Sequence, residues 1–362
     1  MKPKLYTALG LMSGTSIDGI DAALIETDGD RHVRPLGFLG IPYSESFRRA
    51  LRGHLGNERG INDPAVAAFE RELTELHADI ALQLLDKIGE KADLIGFHGQ
   101  TLFHRPERHL TIQIGDGALL ASRTGIPVVN DFRTADVKAG GHGAPLVPLY
   151  HRALLATIAK PVLILNIGGV SNVTWVGGES DSEILAFDVG PGNALIDDWV
   201  LRHTGHPFDE NGLLAAAGRI DTAAVDRAMA IGFYKKAPPK SLDRDAFQKY
   251  APEHLDAADG TATLTMITAR GVAAALSFLP APPHEIYVAG GGRHNLTLMR
   301  WIGDVTGLQV RSVDELGWSG DGLEAEAFAW LAVRSVLGLP LSLPKTTGVP
   351  APMKGGKLHN PA

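Results

Sequence analysis

Hydrophobic residues in the first forty positions fall into short runs separated by turns: LYTALGLM, then IDAALIET, then VRPLGFLGI after Asp28-Gly29-Asp30. Runs of this kind predict an antiparallel meander of three strands. From Pro64 to Gly89 the period changes. Val66, Phe69, Leu73, Leu76, Ile80 and Leu84 recur three or four positions apart, which predicts a long amphipathic helix opened by Asp63-Pro64. A strand DLIGF, a loop from His98 to Arg108, a strand TIQI, a helix from Asp116 and a strand IPVVN follow. The order is βββαβαβ, and the intervening helices require a largely parallel sheet beyond the meander.

A similar order then recurs. Pro161 to Asn166 reads as an apolar strand, Val170 to Val176 returns after a glycine turn, and Ile184 to Asp188 is a third strand before a helix opening at Pro191. Helices at 211–218, 221–230 and 265–279 lead to the strand EIYVAG, a helix from His294 and the strand LQVRS. Two halves with the same opening suggest duplication of one α/β unit, although no residue-level repeat is visible. The expected division is 1–158 with 322–362, and 159–321, with Ala144 to Ala159 as connector. A last helix, Asp321 to Leu337, precedes a tail with Pro and Gly, expected as coil lying on the first half.

Composition narrows the chemistry. The 362 residues carry 34 Lys+Arg against 41 Asp+Glu, a net charge of −7 with no basic run, so nucleic acid is not an expected partner. No cysteine is present, which removes disulfides, thiolate nucleophiles and Cys-ligated zinc together. The longest apolar runs, VLIL and VAAAL, stop far short of the ~20 residues a membrane span needs, so the chain is expected in the cytoplasm and not in a membrane. Glycine is in excess: 42 of 362 residues, about 12%, against a usual ~7%.

The glycines cluster where predicted strands end: GLMSGTSIDG, LNIGGVSNVTW, FDVGPGN and VAGGGRHN. Such turns present backbone N–H groups to an anion, because absent side chains let a phosphate approach. Tight hairpins also want Gly, Asn and Asp. One cluster in the first half and three in the second, all at strand ends, point to a nucleotide held between two lobes. Neither G-x-x-x-x-G-K-[ST] nor G-x-G-x-x-G opening a helix is present, so a P-loop and a dinucleotide fold are disfavoured. Phosphate binding by hairpin turns in duplicated halves is similar to the actin, hexokinase and Hsp70 ATPases. The fold class expected is therefore α/β, a duplicated two-lobed actin-like ATPase (ribonuclease H-like) fold with the nucleotide in the interdomain cleft.

Within that superfamily, GLMSGTSIDGIDAALIE, GFHGQTLFHRP, VNDFR, GGHGAPLVP, LNIGGVSNVT, FDVGPGNALID, AGGGRHN, EAEAFAWLA and LPKTTG resemble the anhydro-N-acetylmuramic acid kinases, in order and over nearly the whole chain. The resemblance implies an enzyme using ATP and Mg2+ that opens the 1,6-anhydro ring of its sugar and phosphorylates the freed 6-hydroxyl. It also makes a homodimer an expectation.

Opening the ring requires a carboxylate to activate water. Asp188 ends the apolar run ILAF and matches the family's catalytic aspartate; as an Asp before a helix it also reads as an N-cap. The resemblance assigns phosphate contacts to Gly14, Thr15, Ser16, Asp18, Gly19 and Asp21 of the first turn and to Gly168 and Gly169 of the second. It assigns the nucleoside to Gly290, Gly291 and Gly292 with Asn295, which is also a helix cap. Where many superfamily members carry D-x-G-T, this chain has Met12-Ser13-Gly14-Thr15, so magnesium would lean on Asp188, Asp18 or water.

His98, Gly99 and Thr101 resemble the family's substrate loop. Asp131 and Arg133 follow IPVVN, and Arg133 suits the lactyl carboxylate of a muramic acid; a buried Asp131–Arg133 ion pair is the alternative. Glu324 is assigned to the substrate and Glu326 is expected in solvent. His98, His104 and His109 lack metal-ligand spacing. Gly96, Gly99, Gly140, Gly141 and Gly143 are expected in loops facing the sugar.

Overall fold

A computed structural model describes residues 3–14, 17–242 and 244–361. They form two compact units, one of residues 1–157 with 322–362 and the other of residues 158–321.

The first unit opens with β1 (Tyr6–Met12), β2 (Gly19–Thr27) and β3 (Val33–Pro42), the antiparallel meander. Helix α1 (Glu45–His54) and helix α2 (Pro64–Ile88) follow. Asp63 caps α2 by accepting from the Ala65 amide, Pro64 sits in its first turn, and Gly89 ends it at φ 75°. Its inner face buries Val66, Phe69, Leu73, Ile80 and Leu84 against the meander. Then come β4 (Leu94–Phe97), β5 (Gln100–Arg105), β6 (Leu110–Ile114), α3 (Gly117–Thr124), β7 (Val128–Asn130), α4 (Thr134–Lys138) and α5 (Pro148–Leu154). The stretch expected as a loop after His98 is instead largely strand: β5 pairs antiparallel with β6 in a separate hairpin.

The second unit repeats the plan. Strands β8 (Val162–Ile167), β9 (Val170–Val176) and β10 (Ile184–Pro191) form its meander. Helices α6 (Ala194–Thr204), α7 (Leu213–Ala217), α8 (Thr222–Met229) and α9 (Ala257–Ala275) lead to β11 (Glu285–Ala289), α10 (Leu296–Thr306) and β12 (Gln309–Ser312). The third strand runs on through Pro191, so α6 opens at Ala194. Helix α9 begins well before position 265 because its threonines do not break it: Thr261 and Thr263 return their hydroxyls to the carbonyls of Ala257 and Asp259. Gly260 leaves room for the Trp199 indole, which a Cβ would meet at 2.2 Å.

The chain then returns to the first unit with α11 (Leu323–Val336), α12 (Pro344–Thr347) and β13 (Lys357–His359). The tail is not coil throughout, since β13 pairs antiparallel with β7. The strand orders are β13-β7-β4-β1-β2-β3 and β10-β9-β8-β11-β12. In each unit the first strand of the meander is followed, on its other side, by two parallel neighbours, β4 and β7 in one and β11 and β12 in the other. The duplication is therefore topological. Helix α11 is buried from Ala325 to Arg334 and lies against the first sheet, where Gly10 of β1 and Gly96 of β4, partners in register, remove the side chains that would hold it off.

Candidate active site

In the first unit the turn between β1 and β2 is built over buried polar groups. Ser13, 1% exposed, donates to Gln100 Oε1 at 2.6 Å and accepts from the Tyr43 hydroxyl at 2.8 Å. Gln100 Nε2 donates to the Gly14 carbonyl at 3.3 Å. Asp18 is exposed beside the turn and its carbonyl accepts from the Tyr43 amide; Gly19 begins β2, where a Cβ would lie 2.4 Å from the Ile41 carbonyl, and Asp21 pairs across to Met12. Thr15 and Ser16 lie outside the described residues. Gln100 and Tyr43, which hold this turn, were not singled out from sequence; their signal is only that both are polar groups in apolar surroundings.

At the carboxyl end of β4, His98 is 5% exposed. Its Nδ1 faces the Gly99 carbonyl at 2.8 Å, so that nitrogen carries the proton, and Nε2 accepts from Arg133 Nε at 3.0 Å. Burial, then the nearby Arg133 charge, holds the imidazole well below its ordinary pKa, so it stays neutral. Arg133 also donates from Nη1 to the Gly143 carbonyl at 2.6 Å. Burial lowers its pKa to about 10, so the guanidinium remains charged at neutral pH. Its direct partners are neutral, and Asp131 is not among them. Asp131 is exposed at φ 56° and shares with His98, Glu70, Asn130 and His359 the wall of a pocket of about 600 Å³.

Thr101 lies on β5 and accepts from Gln113. Gly99 has a structural reason as well, because at φ 69° a Cβ would lie 2.1 Å from the Ile114 carbonyl. Glu324 stands in the first turn of α11, where desolvation raises its carboxyl pKa, the Arg133 charge opposes that shift and Asp18 adds to it. Two expectations are corrected. Gly96 does not face a sugar but packs under α11, since a Cβ there would lie 2.0 Å from the Phe328 carbonyl. Glu326 is not in solvent: it is 2% exposed and accepts from the Tyr150 hydroxyl at 2.6 Å, because two positions past Glu324 a helix has turned it inward.

In the second unit the β8–β9 turn is open. A Cβ on Gly169 would meet nothing nearer than Ala194 Cβ at 3.5 Å, and one on Gly168 nothing nearer than the Val170 carbonyl at 3.8 Å. Their carbonyls take the amides of Gly192, Asn193 and Ala194, which fixes the turn. Beside it, a Cβ on Gly290, at φ 74°, would lie 2.7 Å from the Ile167 carbonyl, and one on Gly292 would lie 2.4 Å from Ile167 Cβ, while Gly291 is exposed. Arg293 ties this run down through Asp314 at 2.8 Å, Asp321 at 2.9 Å and the Gly290 carbonyl at 3.0 Å. Asn295 caps α10 by accepting from the Leu298 amide at 2.9 Å.

Asp188 sits within β10 at a bulge opposite Asn172 and caps no helix. Oδ2 accepts from the Leu242 amide at 2.7 Å, and burial raises its pKa to about 7 against the opposing pull of that amide and of Lys240. Lys240 was invisible in the sequence as part of the site. It is 4% exposed, with Nζ 4.4 Å from the Phe278 ring centroid, 4.7 Å from Phe233 and 5.5 Å from Phe187.

Among solved structures, the chain is similar to an activator of 2-hydroxyisocaproyl-CoA dehydratase from Clostridium difficile with bound ADPNP (TM-score 0.46, 11% identity, 92% of this chain and 97% of that one). It is also similar to the ROK hexokinase of Thermus thermophilus (TM-score 0.41, 18% identity, 90% and 99%). By sequence it is 52% identical over 361 residues to an anhydro-N-acetylmuramic acid kinase of Rhizorhabdus wittichii, covering 98% of this chain and 99% of that protein. To the protein of the same name in Rhodospirillum rubrum it is 52% identical over 349 residues, covering 96% and 93%. The family model described as anhydro-N-acetylmuramic acid kinase matches residues 6–360, and the chain belongs to that family.

Proposed function

We propose that this protein hydrolyses the 1,6-anhydro bond of 1,6-anhydro-N-acetylmuramic acid and transfers the γ-phosphoryl group of ATP to O6, giving N-acetylmuramic acid 6-phosphate and ADP. The observation that carries the chemistry is Asp188: a carboxylate in largely apolar surroundings, one oxygen fixed by Leu242 and Oδ1 without a partner among the described residues. As general base it takes a proton from water as the water oxygen bonds to C1. The C1–O6 bond breaks, O6 bonds to the γ-phosphorus, and the bond from that phosphorus to the β–γ bridging oxygen breaks, releasing ADP. Asp188 returns its proton to solvent.

Gly168 and Gly169 fit a phosphate because the space a Cβ would fill is open; Gly14 and Gly19 flank the other turn in sequence. Gly291 leaves the corresponding space at the nucleoside. Magnesium, when bound, would neutralise phosphate oxygens, with Asp18, exposed beside the first turn, Asp188 or water to hold it. Arg133 takes the lactyl carboxylate: among the described residues its hydrogen bonds go to a neutral imidazole and a backbone carbonyl, and its planar fork matches a carboxylate. This reading places the protein in the cytoplasm, in peptidoglycan recycling, acting on a small sugar, and makes a homodimer its expected assembly. No helix among the described residues is long and apolar enough to cross a membrane.

A coupled assay of ADP release over a panel of amino sugars tests the reading. Release is expected with the anhydro sugar. Release with free N-acetylmuramic acid or N-acetylglucosamine, and none with the anhydro form, overturns it in favour of an ordinary sugar kinase.

A further inference from the structure

Asp136, on α4, is 1% exposed, and a carboxylate so placed requires several donors to offset its lost hydration. It has them from two other parts of the chain. Oδ1 accepts from the Gly143 amide at 2.7 Å; Oδ2 accepts from the Thr347 hydroxyl at 2.6 Å and from the Ser342 hydroxyl. The loop and the C-terminal segment are tied a second time where the His142 amide donates to the Thr347 carbonyl at 2.7 Å. The loop wraps the carboxylate too closely for side chains: a Cβ on Gly141 would lie 2.1 Å from Asp136 Oδ1, and one on Gly143, at φ 69°, would lie 2.5 Å from Val137 Cγ2.

The direction of the Gly143 carbonyl is thereby fixed, and that carbonyl receives Arg133 Nη1 at 2.6 Å. With Nε on His98, two edges of the guanidinium are held by neutral groups. We propose that Asp136, braced by Ser342 and Thr347 of the C-terminal segment, is a positioning residue that aims Arg133 at the carboxylate of the sugar. The proposal rests on the reading that Arg133 takes that carboxylate. It gives the C-terminal segment a part in substrate recognition without touching substrate: the hydroxyls hold Asp136, Asp136 holds Gly143, and Gly143 holds the fork in plane. A guanidinium held at Nε and Nη1 keeps its remaining donors in one orientation, so less freedom is lost when the carboxylate arrives.

Thr347→Val and Ser342→Ala remove single hydroxyls with little change in volume and test the relay without exposing a new charge. Steady-state kinetics at saturating ATP should show the KM for the anhydro sugar rising about tenfold in the double variant, with kcat and the KM for ATP within about twofold. Asp136→Asn should raise the sugar KM further. Arg133→Lys is measured in parallel and in combination with Thr347→Val; if the hydroxyl acts through Arg133, its effect disappears in the Lys background. An unchanged sugar KM in the hydroxyl variants, with a raised one in Arg133→Lys, overturns the positioning role alone. A general fall in kcat and thermal stability with both KM values moving together also overturns it, leaving only a staple for the tail. An unchanged sugar KM in Arg133→Lys overturns the reading of Arg133 and the proposal with it.

Discussion

Asp188 and Leu242 are joined by a 2.7 Å hydrogen bond from the Leu242 amide to Oδ2, across 54 positions of sequence. The amide of Asp188 donates in turn to the Lys240 carbonyl at 3.0 Å, so the segment around 240–242 is fastened to β10 on both sides of the carboxylate.

In the role proposed for it, Asp188 acts as a base only when ionised, and burial raises its pKa from 3.8 to about 7. The acid limb of kcat/KM for the sugar should therefore have its midpoint near pH 7, with activity rising as pH rises. Asp188→Asn should lower kcat by about 10²–10⁴-fold and leave the KM for ATP near that of the wild type. The effect on stability has the opposite sign. A raised carboxyl pKa contributes stability fully present below pH 3.8 and lost as pH rises through about 7. Thermal melts at pH 5 and pH 8.5 should show Asp188→Asn gaining on the wild type more at the higher pH than at the lower.

Lys240 is the cation that favours the ionised form of Asp188, while burial and the like charge of Lys236 hold its own pKa down. Lys240→Met keeps the length and the contact with Phe187, Phe233 and Phe278 but removes the charge. Loss of a positive charge disfavours the carboxylate, so the midpoint of the acid limb should move to higher pH. An unmoved midpoint would show that Leu242 and burial alone set it.

The meander, the long helix and the glycine turns were legible because each has a local signature: short apolar runs, a helical period with Asp63-Pro64 at its start, glycines at strand ends. Asp188 was legible for a similar reason, as an acid closing an apolar run. Its environment was not. Lys240 and Leu242 reach it from over fifty positions away, and nothing in PPKSLDR marks a lysine that will be buried among phenylalanines. Gly10 and Gly96 look like their neighbours at Gly14 and Gly99, yet they serve packing in mid-strand. Only the pairing of β1 with β4 under a helix more than two hundred residues later separates the two uses. Glu326 was misread for want of the same information, since the partner that admits it to the interior, Tyr150, lies 176 positions away.

The Tyr150–Glu326 bond supplies a test of stability independent of catalysis. Burial raises the Glu326 carboxyl, and the Tyr150 hydroxyl opposes that by stabilising the ionised form. Tyr150→Phe leaves the carboxylate without this donor, which should destabilise the protein by about 1–3 kcal/mol at pH 8. The loss should be smaller at pH 5 than at pH 8, because a carboxyl raised by burial takes up its proton more readily as pH falls and a protonated Glu326 needs no donor. Urea unfolding at the two pH values measures the difference, and kcat should stay near that of the wild type.

The glycine pair under α11 makes the sharpest steric test. A Cβ at Gly10 would lie 1.7 Å from the Ala325 carbonyl, and one at Gly96 would lie 2.0 Å from the Phe328 carbonyl. Both obstacles are backbone, so no rotamer change relieves them, and the helix itself must lift. Neither glycine has a positive φ, so backbone conformation gives alanine no disadvantage and the clash alone sets the sign. Gly96→Ala should cost about 3 kcal/mol or more, at the upper end for overpacking. Gly53→Ala, on a helix with nothing within 4 Å of the added carbon, should be neutral or stabilising. Because α11 also carries Glu324 and the Phe328 ring, which lies 4.6 Å from the His98 ring, the fraction of Gly96→Ala that folds should bind the sugar more weakly. If Gly96→Ala melts with the wild type, the helix does not lie on this strand pair and Glu324 is held by other contacts.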